Sequence, residues 1–262
     1  MRYTIVNRND ELSTEKANYI NDRLKAAGME RDDESPKLMI VVGGDGTFLV
    51  GIHKYLDQIS DILMVGIHTG TLGFFADFQL DEIDFLIECI LNKEPEVSTK
   101  RLLEVNIKNQ DGTKNQYHAL NEVRVENILK TQILEVCIND VYLETFRGTG
   151  LCISTQPGST GYNRSLKAAV ISDELELLQM AEITGIHHRL FQSLQVPLIL
   201  HADTQINLQS PSFTKAILCY DHLSVPISDA SEVCTVLSKD KKVNFARYHE
   251  KLTYTHRIRS LF

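Results

Sequence analysis

Residues 37–42, Lys-Leu-Met-Ile-Val-Val, form a continuous apolar run that follows Pro36 and stops at Gly43-Gly44-Asp45-Gly46. A short run without polar alternation is the pattern of a strand buried on both faces, as in a parallel sheet covered by helices. Its surroundings repeat the theme. Residues 2–7 read as a strand, and from Asp10 a helix follows with Ala17, Ile20, Leu24 and Ala27 at helical spacing and Gly28 placed to end it. Residues 47–56 read as a helix and 62–67 as a second buried strand. Asp81 then stands as the cap of a helix with Ile83, Leu86, Ile87 and Ile90 on one face. Strand alternating with helix over residues 1–93 predicts a doubly wound parallel sheet.

After Pro95 the texture changes to short β-rich stretches at 103–108, 117–125, 133–138 and 141–146, with further strands at 206–208 and 216–220. Asp111-Gly112 and Asn139-Asp140 punctuate them as turn signals. Two helical stretches, 160–169 and 173–183, interrupt this half. The expected fold class is an α/β N-terminal domain with a Rossmann-like parallel sheet, followed by a β-rich, sandwich-like C-terminal domain. The boundary falls near residue 98, and the cleft between the domains is the default ligand site.

Composition excludes several classes. A formal charge of −8 over 262 residues argues against a nucleic-acid partner, whose backbone is bound through lysine and arginine. The tail is locally basic, and reads as a solvated or subunit-contacting segment. The longest apolar runs are too short to cross a bilayer, and the N-terminus lacks a signal-peptide pattern, so no membrane partner and a cytoplasmic location are expected. Five scattered cysteines show no CxxC or Cys/His ligand spacing, and read as reduced thiols with no protein-bound metal.

The sharpest chemical feature is Gly43-Gly44-Asp45-Gly46-Thr47, at a strand-to-helix junction. Backbone amides uncovered by side chains at a helix N-terminus suit phosphates. The segment has neither the lysine of a Walker A loop nor the GxGxxG spacing of a dinucleotide fold. It carries a carboxylate instead, which beside phosphate must hold a metal or accept a proton. Asp45 is therefore a candidate general base, or else it shapes the turn or caps the helix. A second glycine- and hydroxyl-rich stretch runs from Arg147-Gly148-Thr149-Gly150 to Ser154-Thr155-Gln156-Pro157-Gly158-Ser159-Thr160-Gly161-Tyr162-Asn163-Arg164-Ser165. It offers hydrogen bonds and a ring for a base to lie against, or is an ordinary turn with a cap. Asn121-Glu122, within a β stretch, is more often an exposed strand pair than a ligand clamp, and Asp221-His222 after an apolar strand reads as a strand-end turn just as easily. His187-His188-Arg189 has no ligand-spaced neighbours and reads as structural.

In combination these segments resemble the NAD kinase family along nearly the whole chain. Gly43-Gly44-Asp45-Gly46 matches its GGDG motif, Thr69-Gly70-Thr71-Leu72-Gly73-Phe74 its TGxLGF segment, and Asn121-Glu122 its Asn-Glu pair. Ser154 to Tyr162 is similar to STPTGSTAY, and Asp221-His222 stands where members carry Asp-His or Asp-Gly. The resemblance implies transfer of the γ-phosphoryl of ATP to the adenosine-ribose 2′-hydroxyl of NAD, with Asp45 as base. It implies that Gly43, Gly44, Gly46 and Thr47 admit ATP's phosphates and their Mg²⁺. Gly46, Leu72, Phe74, Asn121, Thr160, Gly161 and Tyr162 would line the NAD site, and Glu122 would hold a ribose diol. Ser165 and Thr184 would approach the nicotinamide end, Arg147 and His222 the phosphates or the 2′ position, and Asp221 would also belong to the NAD site. It further implies a homodimer or homotetramer whose site is completed at a subunit interface. Residues 1–98 would be the nucleotide-binding domain, residues 240–262 would return to it, and residues 99–239 would bind NAD.

Three positions depart from the family pattern. Thr149 replaces an aspartate expected against the nicotinamide half of NAD, which predicts weaker NAD binding. Gly161 replaces an alanine, and Lys167-Ala168-Ala169 a Gly-Gly-Pro stretch. Two other readings stand beside the kinase: a non-catalytic NAD or NADP sensor, and a lipid or sugar kinase of the GGDG type. Retention of Asp45 weighs against the first, since a pure binder gains nothing from a buried carboxylate near phosphate. The Asn121-Glu122 and Ser154 to Tyr162 segments weigh against the second.

Overall fold

The computed structural model describes residues 1–70, 73–248 and 253–259. The chain divides into two compact units, one comprising Met1–Lys100 with the chain from Asp240 onward, the other Arg101–Lys239.

In the first unit, β1 (Arg2–Asn7), α1 (Glu11–Ala26), β2 (Glu30–Arg31), β3 (Leu38–Val42), α2 (Asp45–Lys54), β4 (Leu63–Ile67) and α3 (Ile83–Asn92) follow one another. β1 pairs in parallel with β2 and β3, and β3 with β4. Asn244 and Phe245 then add a parallel partner beside Leu63 and Met64 of β4. All five residues of β3 are fully buried, as an inner strand requires. Asp10 caps α1 by accepting the Ser13 N–H at 2.9 Å, and Ala17, Ile20 and Leu24 face the core. α2 begins at Asp45, two residues before the expected start at 47. Asp81 is not the cap ahead of α3. A 3-10 turn, Leu80–Glu82, intervenes, and Gln79 and Glu82 cap it reciprocally, with Glu82 accepting the Gln79 N–H at 2.8 Å. The extended backbone of Gln79 supplies the non-helical geometry that a capping box needs.

β5 (Glu96–Asn109) leads into the second unit, where β6 (Lys114–Ala119), β7 (Glu122–Glu126), β8 (Gln132–Ile138), β9 (Val141–Ser154), α4 (Tyr162–Ser165) and β10 (Leu177–Gly185) follow. They are succeeded by β11 (Leu198–His201), β12 (Ile206–Gln209), β13 (Ile217–Tyr220), β14 (Leu223–Pro226) and β15 (Ala230–Arg247), and the chain's last described element is α5 (Tyr254–Arg259). Pairing in the second unit is antiparallel: β9 contacts β7, β8 and β10, and β13 lies between β7 and β14. Phe146, Phe213, Leu134, Leu151 and Leu178 belong to its buried core.

Three expectations fail here, in whole or in part. The stretch 173–183 is not helical, because Leu177–Gly185 is a strand. Its Leu, Gln, Met, Ala and Glu residues are good helix formers, but β10 finds a partner on each edge, β9 and β11, and buries residues of both faces. Tertiary pairing overrides propensity. The stretch 160–169 is helical only in part. A 3-10 turn, Pro157–Thr160, precedes the single turn of α4, and the chain leaves the helix at Lys167, whose φ is 59°. The expected strand 117–125 is likewise interrupted, at Leu120 and Asn121. Among the described residues no helix is long and apolar enough to cross a membrane.

Candidate active site

The first group of site residues lies at the carboxyl ends of β3 and β4, the edge of a parallel sheet where ligands bind. The Gly43 N–H donates to the Ile67 carbonyl at 2.9 Å, so the two strand ends remain joined where the glycines begin. Gly44 is the N-cap of α2 and Asp45 its first residue. A side chain placed on Gly44 or Gly46 would meet nothing within 4 Å, which leaves room around the first amides of the helix. The Thr47 N–H donates to the Gly44 carbonyl at 2.9 Å and closes the turn.

The half-buried Asp45 carboxylate accepts the Phe74 N–H at 2.9 Å and the Phe75 N–H at 3.1 Å. Gly73 has to be glycine for this, since a methyl there would run into the Asp45 carboxylate. Burial pushes the Asp45 carboxyl above its ordinary range. The two amides, then Arg257 and Arg247, act against that rise. Phe74 is half-buried with its ring edge-on to Tyr254 at 6.0 Å, and Phe75 stacks on Phe245 at 5.3 Å. Leu72, also expected here, lies outside the described residues.

The second group is built on the break between β6 and β7. Asp221, at the β13–β14 turn with φ of 49°, accepts the Leu120 and Asn121 N–H groups at 2.8 Å each. Thr155 donates its N–H to the Asn121 carbonyl at 2.9 Å and its hydroxyl to the Leu120 carbonyl at 2.6 Å. Gly158 lies so close to the Asn121 carbonyl that any side chain would collide with it. The backbone of Asn121 is thereby held from both sides.

What this scaffold presents is a set of buried polar atoms without partners: Asn121 Oδ1, Glu122 Oε2, and both amide atoms of Asn163. Buried polar atoms are ordinarily paired, so the orphans on adjacent Asn121 and Glu122, and on Asn163, make these residues candidates for holding a ligand. Glu122 is 6% exposed, and its carboxyl is pushed up to about 7, first by burial and then by the Asp221 charge; Arg124 and the Tyr162 N–H oppose this. A methyl on Gly161 would stand 3.3 Å from Glu122 Oε2, which places the departing glycine directly beside the carboxylate. Arg124 lies over the Tyr162 ring at 4.0 Å and pairs with Glu126 at 2.6 Å. Asn163, fully buried, was not singled out from the sequence. Its position inside the glycine- and hydroxyl-rich stretch was the only signal.

The remaining expected residues fall elsewhere. Thr149 and Thr184 line a groove of about 240 Å³ with Asn127, Ile128, Lys130 and Ile186. Arg147 stacks on Phe191 at 4.0 Å. The exposed Ser165 turns its hydroxyl back to the Tyr162 carbonyl at 2.6 Å, and Thr160 donates to the Pro157 carbonyl at 3.1 Å. His222 is exposed. Among the described residues no group of three or more His, Cys, Asp or Glu is placed to hold a metal ion.

Residues 2–95 match the family model described as the ATP-NAD kinase N-terminal domain. NAD kinase 1 of Bacillus cereus is 35% identical over the full chain and 98% of its own length. The chain belongs to the NAD kinase family. NAD kinase 1 of Listeria monocytogenes is also 35% identical, over 95% of this chain and 94% of the relative. Among solved structures, a yeast NADH kinase complexed with NADH superposes with a TM-score of 0.87 at 19% identity, covering 100% of this chain and 87% of the other. An NAD kinase from Archaeoglobus fulgidus in complex with ATP gives 0.79 at 23% identity, covering 99% of each. At those identities the two structures speak for the fold. It is the α/β unit with a parallel sheet and the β-rich second part seen here.

Proposed function

We propose that this NAD kinase family member transfers the γ-phosphoryl group of magnesium-bound ATP to the 2′-hydroxyl of the adenosine ribose of NAD, giving NADP and ADP. The observation that carries the reading is Asp45, a carboxylate fixed by two backbone amides at the first turn of a helix whose flanking positions are bare glycines. In this reading Asp45 takes the hydroxyl proton as the oxygen attacks phosphorus and the bond to ADP breaks. The exposed amides of α2 receive phosphate oxygens. Magnesium arrives on the ATP phosphates, whose oxygens and waters supply most of its ligands, and offsets their charge.

The orphaned atoms of Asn121, Glu122 and Asn163 suit an adenosine with its ribose hydroxyls, and the Tyr162 ring suits the base. Exposed Ile128, Leu129, Ile186 and Leu190, two of them more than 70% exposed, support self-association into a homodimer or homotetramer that contributes to the site. Sedimentation of the purified chain as a monomer at micromolar concentration would remove that part. Five free cysteines accord with a cytoplasmic location.

The test is a coupled assay of NADP formation with ATP, Mg²⁺ and NAD, run beside Asp45→Asn. General-base help is worth about 10²–10⁴ in rate. The variant should therefore lose at least about 99% of kcat while still binding NAD by calorimetry. A variant keeping more than about a tenth of wild-type kcat would overturn the role of Asp45.

A further inference from the structure

The loop that holds Asp45 is gripped from its other side by the C-terminal segment. Phe74 gives its N–H to Asp45, and its carbonyl accepts from Arg257 Nη1 at 2.9 Å. Phe75 also gives its N–H to Asp45, and its carbonyl accepts from Arg247 Nη1 at 3.0 Å. Arg257 Nη1 reaches the Ala76 carbonyl as well, at 2.8 Å, and both guanidinium groups meet the Asp77 carboxylate.

Arg257 is 6% exposed and Asp77 5% exposed, so neither charge is tolerable alone. One arginine would suffice to neutralise Asp77. Both arginines also act on Asp45, the acidic side chain on the other side of the same loop. The charged groups facing Asp45 are Arg247 and Arg257, with Asp77 bound to both. Phe75, stacked on Phe245 with Arg247 4.9 Å above the Phe245 ring, fixes the same loop through its apolar side.

We infer that Arg257 and Arg247 are positioning residues for the reaction, setting the orientation and charge of Asp45 through the Phe74–Phe75 peptide unit and the Phe75 carbonyl that follows it. The inference rests on Asp45 being the base. The Phe74–Phe75 peptide unit, pinned at its carbonyl by Arg257 and at its N–H by Asp45, cannot rotate freely. Arg247 holds the next unit through the Phe75 carbonyl, so residues far along the chain set the carboxylate direction. Small displacements at such a centre, on the order of 1 Å, cost about 10²-fold in rate. The guanidinium fork matters because it reaches two carbonyls and a carboxylate at once, which a lysine ammonium does not.

The experiment measures kcat and KM for NAD between pH 5.5 and 9 in the full chain, for wild type, Arg257→Gln, Arg257→Lys and Asp45→Asn. Asp45 works ionised. Removing a cation that favours its ionised form raises its pKa, so the acidic limb of the kcat profile moves to higher pH. Arg257→Gln should move the limb upward and lower kcat at pH 7 by about tenfold or more, with KM for NAD within about twofold. Arg257→Lys keeps the charge, so its limb should stay in place while kcat still falls. A limb that stays at the wild-type position in Arg257→Gln overturns the inference, whether kcat is unchanged or lowered uniformly at every pH. If Arg257→Gln does not fold by calorimetry, the half-exposed Arg247 carries the same comparison as Arg247→Gln and Arg247→Lys. Activity surviving in Asp45→Asn removes the base reading itself and this inference with it. An unmoved limb beside an inactive Asp45→Asn removes only the inference.

Discussion

Replacing Glu122 with glutamine should make the ligand-free protein more stable at alkaline pH while weakening its hold on NAD. Glu122 is 6% exposed, and its carboxyl is raised from 4.5 to about 7 by burial and by the Asp221 charge. A folded-state pKa above the unfolded one means that the folded protein holds the proton more tightly. The stabilising contribution is therefore complete below about pH 4.5 and is lost as pH rises to about 7. At about 1.4 kcal/mol per pH unit, the loss reaches roughly 3 kcal/mol at pH 8 and about 1 kcal/mol at pH 5.5.

Glutamine has nearly the same shape and no charge to lose, so between those two pH values it should gain about 2 kcal/mol on the wild type. For a chain of this size that is a Tm difference widening by roughly 4–8 °C, readable by scanning calorimetry at the two pH values. The same substitution removes a carboxylate that can accept two ribose hydroxyls, so NAD affinity should fall, by about tenfold or more, in titration calorimetry at pH 8. If the Tm difference between the two proteins is the same at pH 5.5 and pH 8, the burial and repulsion assigned to Glu122 are wrong.

Two further substitutions probe the second unit. Gly158→Ala drives a methyl into the Asn121 carbonyl. It should cost about 1–3 kcal/mol of stability and raise KM for NAD severalfold, and an unaltered KM would show that this contact does not set Asn121. Thr149→Asp restores a carboxylate to the groove that also holds Lys130, and should lower KM for NAD; steady-state kinetics giving an equal or higher KM would dismiss the role assigned to this departure.

The parallel sheet was legible because β3 and β4 are short, almost wholly apolar, and closed by glycines, a pattern with few structural solutions. The β10 segment reads as helix because Leu177, Gln179, Met180, Ala181 and Glu182 are helix formers, and the partners that make them a strand lie 18 to 37 residues away. Asp45 could be picked out, since a carboxylate among glycines in a phosphate-suited loop is chemically odd, whereas Asn121 and Glu122 stand out only through the resemblance to the NAD kinase family. Their supports could not. Asp221 holds the Asn121 amide across 100 residues, and Arg257 grips the Phe74 carbonyl across 183, separations at which local pattern carries no signal. Asn163 was passed over because only its burial, with both amide atoms unsatisfied, distinguishes it from an ordinary loop asparagine.

The grip of Arg257 on Phe74 ties the first unit to the order in which the chain is made. Synthesis at about 5–20 residues per second delivers Arg257 roughly 10–40 s after Phe74, because 183 residues intervene. During that interval the nascent chain already carries the whole matched segment 2–95, including Asp45, but not the arginines that hold its loop. The first unit is completed only after Arg101–Lys239 has been translated. A ribosome that stops early therefore releases a product bearing the GGDG signature without the arginines that hold the Asp45 loop. A C-terminal tag or truncation reaching Arg257 should act on the Asp45 carboxylate, far from it in sequence.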